Sequence, residues 1–137
     1  MGFVHTEITI RNTGDVIKAE DGIIPEEDIR QVTVDAMVDT GASTLVINED
    51  LREQLGLKVR GQRPVTLANE TKDIALITES VEIHWKNRDT TCRALVVSGA
   101  GKILLGAIPL EDMDLMVDPK RQELVGAHGD EPISFCY

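Results

Sequence analysis

The apolar residues of this chain come in short, largely β-branched runs, and most are closed within a few positions by Gly, Pro, Asn or Asp. That texture leaves little room for long amphipathic helices. It predicts strands joined by tight turns, and hence an all-β domain. No repeat, linker or low-complexity stretch interrupts the 137 residues, so a single domain over 1–137 is expected, with its core at about 4–126. Aromatic residues make up only 3%, and the core must be built from Val, Ile, Leu and Ala.

Along the chain, a first strand is expected from Phe3 to Ile10, with Val4, Thr6, Ile8 and Ile10 on one face. Asn12-Thr13-Gly14-Asp15 reads as a turn, after which Val16 to Ala19 pairs back. Asp21 to Asp28 reads as a loop containing one helical turn at Pro25-Glu26-Glu27. Val32, Val34, Ala36 and Val38 alternate through a strand ending at Asp39, and Thr44 to Ile47 follows as a second apolar run. Asn48 has the chemistry of an N-cap for a short helix that buries Leu51 and Leu55 and stops at Gly56.

Two hairpins come next, one joining Pro64–Ala68 to Ile74–Ile77 and the other joining Ser80–Trp85 to Thr90–Val97. Ile103-Leu104-Leu105-Gly106 leads into a short helix begun by Pro109. Leu115–Val117 and Glu123–Val125 read as closing strands around Asp118-Pro119, and the last ten residues carry no clear pattern.

Charge narrows the partners. With 24 acidic against 14 basic residues the formal charge is −10, which argues against nucleic acid. The apolar runs are too short to cross a membrane, and no signal peptide is visible. Cys92 and Cys136 have neither metal-site nor disulfide-framework spacing and are expected as free thiols of a cytoplasmic, reducing compartment. Met1-Gly2 with Thr6 fits a myristoylation pattern and Asn69-Glu70-Thr71 a glycosylation sequon; a strand start and a turn are the simpler readings.

The segment that carries chemistry is Asp39-Thr40-Gly41-Ala42-Ser43. By itself an Asp-Thr-Gly triplet is an ordinary strand-ending turn. Here it lies between Ala36-Met37-Val38 and Leu45-Val46-Ile47, which places a carboxylate on a loop anchored in the core. Such a carboxylate needs hydrogen bonds, which Thr40 and Gly41 can help supply, and Gly41 permits close approach of another backbone.

Val38-Asp39-Thr40-Gly41-Ala42-Ser43 resembles the active-site loop of retropepsin-like aspartic proteases. Ile103-Leu104-Leu105-Gly106 and the helix after it resemble the second signature of that family, an apolar triplet and glycine packed behind the loop. The order of elements is similar over Val4 to Gly126. The resemblance implies a small closed β-barrel with one or two short helices, acting as an aspartic endopeptidase without cofactor or metal. It implies Asp39 as the catalytic residue, with Thr40, Gly41, Leu105 and Gly106 supporting it. Gly41 and Ala42 would line the substrate cleft, and Ala68, Asn69 and Glu70 would form a flap over it.

The chain holds one Asp-Thr-Gly, so the second carboxylate of the pair must come from a second copy, in a homodimer acting on a peptide or protein. His5, His84 and His128 are expected on strands or at the surface, outside the chemistry.

Two departures from the retroviral pattern stand out. No Gly lies between Gly61 and Gly99, so the flap lacks a glycine-rich tip, and Ala107 stands where retroviral members commonly carry Arg. They leave a competing reading, a non-catalytic domain of the same fold that binds peptides or other proteins; the intact Asp39, Thr40 and Gly41 favour the enzyme. A third reading is an unrelated small barrel in which Asp39 merely ends a strand.

Overall fold

The structure, a computed structural model, describes residues 3–136; Met1 and Gly2 of the myristoylation pattern, and Tyr137, lie outside the described residues. Its elements run β1 (His5–Asn12), α1 (Thr13–Glu20), a 3-10 turn (Glu26–Asp28), β2 (Gln31–Val38), β3 (Leu45–Ile47) and α2 (Glu49–Gln54). They continue with β4 (Val59–Thr66), β5 (Lys72–Trp85), β6 (Arg88–Val96), β7 (Ile103–Leu105), α3 (Ala107–Asp112), β8 (Leu115–Asp118) and β9 (Glu123–Gly126). Strands β1-β2-β7-β3-β6-β5 are hydrogen-bonded in that order, and β1 pairs with β5, closing a six-stranded barrel. β4 adds to the free side of β5, and β8–β9 is a separate hairpin.

Two-residue periodicity sorts the side chains. In β3, Leu45 and Ile47 are fully buried in the barrel core, while Val46 between them joins a second apolar cluster on the other face. β6 does the same, with Ala94 and Val96 inside and Leu95 outside, and Val97 just past its end joins the outer cluster. So does β7, where Ile103 and Leu105 face inward and Leu104 outward. The barrel core also holds Ile8, Ile10, Leu55, Leu57, Ile83 and Met113, each at most 1% exposed. Each such side chain contributes roughly 1.5–3 kcal/mol through burial.

Asn12 and the residues after it form a helix, where a turn and a returning strand were expected. Asn12 caps α1, its side-chain oxygen accepting from Asp15 N at 3.1 Å, and its Nδ2 donates to Leu55 O at 2.8 Å. Asp15 is buried and receives the Arg30 guanidinium at 2.8 and 2.9 Å, together with Arg30 N. The Arg30 hydrogen bonds hold the Asp15 carboxyl below the usual carboxylate range against its burial. A residue from a distant loop thus completes the helix, and a local reading of Asn-Thr-Gly-Asp does not contain it.

The strands expected at Ile74–Ile77 and Ser80–Trp85 are one strand, β5, and the break between them is a bulge. Ile77 faces Leu95 and Ser80 faces Arg93, so Thr78 and Glu79 stand against Ala94 alone. The buried Thr78 hydroxyl accepts from Ala94 N at 3.1 Å and replaces the missing ladder bond. At this point β5 changes partner, from β4 through Thr78 to β1 from Val81 onward. The bend lets one strand serve both the barrel wall and the hairpin above it.

Arg88 and Asp89 belong to β6, leaving Lys86 and Asn87 as a two-residue turn. α3 starts at Ala107, two residues before Pro109, which stays within the first turn where a missing N–H costs nothing. Asn48 caps α2 as expected, its side chain accepting from Leu51 N at 2.9 Å, and Gly56 follows with φ +62°.

The unpatterned C-terminal segment is held by polar contacts. Buried Asp114 accepts from His128 Nδ1 and from Ile133 N, and Arg88 donates to the Met113, Asp114 and Gly129 carbonyls. No described helix is long and apolar enough to cross a membrane. Cys92 and Cys136 are free thiols.

Candidate active site

β2 and β3 both pair with β7, one parallel and one antiparallel, so that Leu105 lies between Val38 and Leu45. The loop 39–44 therefore bridges the end of β7, and the backbone following β7 pins it. Asp39 N donates to Leu105 O at 3.0 Å, Ala107 N to Ala42 O at 2.8 Å and Ile108 N to Ser43 O at 2.9 Å. Gly106 sits beneath. A Cβ there would meet Thr44 O at 2.3 Å and Ala42 O at 2.5 Å, both backbone atoms, so only glycine allows the loop to lie this close. Thr44 Oγ1 donates to Arg93 O at 2.9 Å, and the N–H of Val38 reaches Val4 O.

Held this way, Asp39 is half-buried at the strand end while Thr40 and Gly41 are exposed at the loop's outer edge. Gly41 N donates to Asp39 Oδ1 at 2.9 Å and fixes the carboxylate's orientation. Asp39 opens onto a cleft of about 730 Å³ that Gly41, Ala42 and Ser43 also line. The second apolar cluster forms much of its wall, through Val46, Leu95, Val97 and Leu104 with Val65 and Leu67 of the β4–β5 hairpin.

Of the residues expected at the site, the structure brings together Asp39, Gly41, Ala42 and Ala68 around the cleft, with Leu105 and Gly106 directly behind the loop. Thr40 does not line the cleft and is exposed. Asn69 and Glu70 lie at the hairpin tip outside the cleft wall, for a local reason. The Asn69 side chain accepts from Thr71 N to build the turn, and Glu70 takes a left-handed φ of 66° that turns it outward to solvent.

The segment 98–102, Ser-Gly-Ala-Gly-Lys, lines the cleft and was not expected there. Its signal was legible as two glycines between an apolar strand and the Leu-Leu-Gly segment, the flexible composition that the flap lacks. An added Cβ at Gly99 or Gly101 would meet nothing within 4 Å.

His5, His84 and His128 pair with Asp35, Glu82 and Asp114, and none lines the cleft. Burial pushes the Cys92 thiol up, a weak state for a nucleophile, although a hydrogen bond with Thr44 opposes the shift. Among the described residues no cluster of His, Cys, Asp or Glu has the arrangement of a metal site.

The sequence profile of the aspartyl protease family matches residues 27–107, more than half of the chain, and takes in both the Asp39 loop and the Leu105-Gly106 segment. The chain belongs to this family and has the retropepsin-like fold. Among solved structures it is similar to the retroviral protease-like domain of Ddi1 from Leishmania major, at 18% identity and a TM-score of 0.57, covering 96% of this chain and 94% of that one. A retropepsin-like aspartic protease from Rickettsia conorii is 21% identical with a TM-score of 0.44, over 85% of this chain and 88% of that one. No curated protein matches.

Proposed function

We propose that the protein is an aspartic endopeptidase whose single active site is shared by two copies of the chain, each supplying Asp39. The observation that carries this is the placement of Asp39. A carboxylate oriented by Gly41 N opens onto an apolar cleft of peptide-binding size, and the chain contains a single Asp-Thr-Gly. One carboxylate cannot act as general base and general acid in the same step. Two can.

A two-fold axis beside the exposed Thr40-Gly41 edge brings the two carboxylates together. Apolar surface is already present next to that edge. Ile108, 56% exposed, follows the Ala107 that bonds the loop, and Phe3, 70% exposed, precedes the Val4 whose carbonyl accepts from Val38. Thr40, exposed at this edge, would hydrogen-bond across the axis.

At a few ångströms' separation the two aspartates share one proton and titrate as a pair; the aspartic-protease pair is the standard instance of this coupling. The ionised member takes a proton from a bound water as the water oxygen bonds to the scissile carbonyl carbon. The protonated member hydrogen-bonds the carbonyl oxygen as negative charge builds there. In the tetrahedral intermediate the C–N bond then breaks, the amine leaves with a proton from the pair, and a carboxylic acid remains. The β4–β5 hairpin closes over the substrate, and Asn69 and Glu70 reach it only in that closed state.

The test pairs two measurements: sedimentation to establish a dimer, and cleavage of an unfolded protein at pH 4–6 by the wild type and by Asp39→Asn. A dimer that cuts, with cutting lost in the variant, is the expected result. A dimer that binds peptides tightly without turnover would instead mark a binding module.

A further inference from the structure

The chain as a whole is acidic, 24 against 14, yet the cleft reverses this balance. Besides the catalytic Asp39, the charged residues of its lining are Arg63 and Lys102, both cations. We infer that Arg63 and Lys102 select peptide substrates carrying Asp or Glu beside the apolar residues at the cut; this rests on the shared-site protease reading above.

The two cations come from different walls. Arg63 stands on β4 opposite Ala75, on the same face as Val65 and Leu67, whose side chains pack into the cleft cluster. By the two-residue period it shares the face of Ala75 and Val65, and it lines the cleft while remaining exposed to solvent. Lys102 ends the glycine-containing 98–102 segment, next to the strand that carries Leu104. Neither takes part in an ion pair within the described chain, whereas Arg30 and Arg52 are committed to Asp15 and Glu49. Lys102 has a soft contact, its Nζ 5.5 Å from the exposed Phe3 ring, which leaves its donors available.

The rest of the lining is mostly apolar. A peptide in this cleft buries apolar side chains against Val46, Leu95 and Val97, and its acidic side chains meet the two cations at the walls. Lysine or arginine in the same places faces like charge. Two-fold symmetry repeats both cations, so the preference extends to either side of the scissile bond.

The test uses one apolar peptide made in three versions, with Glu, Gln or Lys at the positions flanking the apolar core. The wild type is expected to give kcat/KM for the Glu version about five-fold above the Gln version at low salt. Raising the salt to about 0.5 M should bring that ratio toward one by screening. In the double variant Arg63→Glu, Lys102→Glu the order should invert, with the Lys version cut best. Asp39-dependent cleavage with equal Glu and Gln rates would overturn the inference and leave the protease reading standing. Should no version be cut, the same comparison is made by fluorescence anisotropy of labelled peptides on Asp39→Asn. Tighter Glu binding that salt abolishes supports the inference; equal affinities, or no binding of either peptide, overturn it.

Discussion

The two apolar clusters use the same residue types on the same strands and do different work. On the inner face of β3, β6 and β7, Leu45, Ile47, Ala94 and Leu105 are wholly shielded from water and hold the barrel. One residue along, Val46, Leu95 and Leu104 face the cleft, with the partly buried hairpin residues Val65 and Leu67 packed against them. The inner face is satisfied within the chain. The outer face is nearly as buried at Val46 and Leu95 but opens onto the cleft beside Asp39, where the proposed function would seat a peptide.

The widest separation between the two regions is expected from the charged residue at their junction. Asp39→Asn should lower hydrolysis by about a thousand-fold or more, while the thermal midpoint moves little, because the half-buried carboxylate supports no packing. Steady-state kinetics and calorimetry on one preparation check both halves.

Next come paired truncations on β3. Leu45→Ala should cost about 2–5 kcal/mol of stability, read by urea unfolding. Val46→Ala, one residue away, should cost about 1 kcal/mol and appear mainly as a raised KM for apolar peptides. Equal losses from the two would erase the distinction drawn here. Gly106→Ala should damage both regions at once, since its methyl would collide with the Ala42 and Thr44 carbonyls behind the loop.

Smaller effects belong to the polar contacts around α1. Asn12→Ala removes the cap and the bond to Leu55 O and should cost about 1–2 kcal/mol without changing kcat. Asp15 contributes a pH-dependent part. Its carboxyl is held below the unfolded value of about 3.9, so its stabilisation is full above that pH and is lost as pH falls through the folded value. Thermal melts of wild type and Asp15→Asn should differ at neutral pH and converge in acid.

Periodicity made most of the barrel legible. Alternation located β1 and β2, the Asn48 cap located α2, and the Leu-Leu-Gly segment located β7. It failed where a distant partner decides the outcome. Asn12 and Asp15 make a helix only with Leu55 and Arg30, and the Thr78 bulge looks like a strand end until Ala94 N is seen to bond its hydroxyl. The Asp39 loop stood out because Asp-Thr-Gly is a contiguous string. Arg63, Val65 and Leu67 did not, because a cleft joins residues that only topology brings together, and the 98–102 wall showed only as a pair of glycines with nothing to place it at the cleft.

The central claim is that one site needs Asp39 from two chains, and subunit mixing tests it most directly. Wild type and Asp39→Asn are combined at fixed total concentration, equilibrated until subunits have exchanged, and assayed on one peptide. A shared site predicts total activity falling as the square of the wild-type fraction, because mixed dimers carry one functional aspartate. Activity in simple proportion to that fraction would mean that each chain works alone, and would contradict the account.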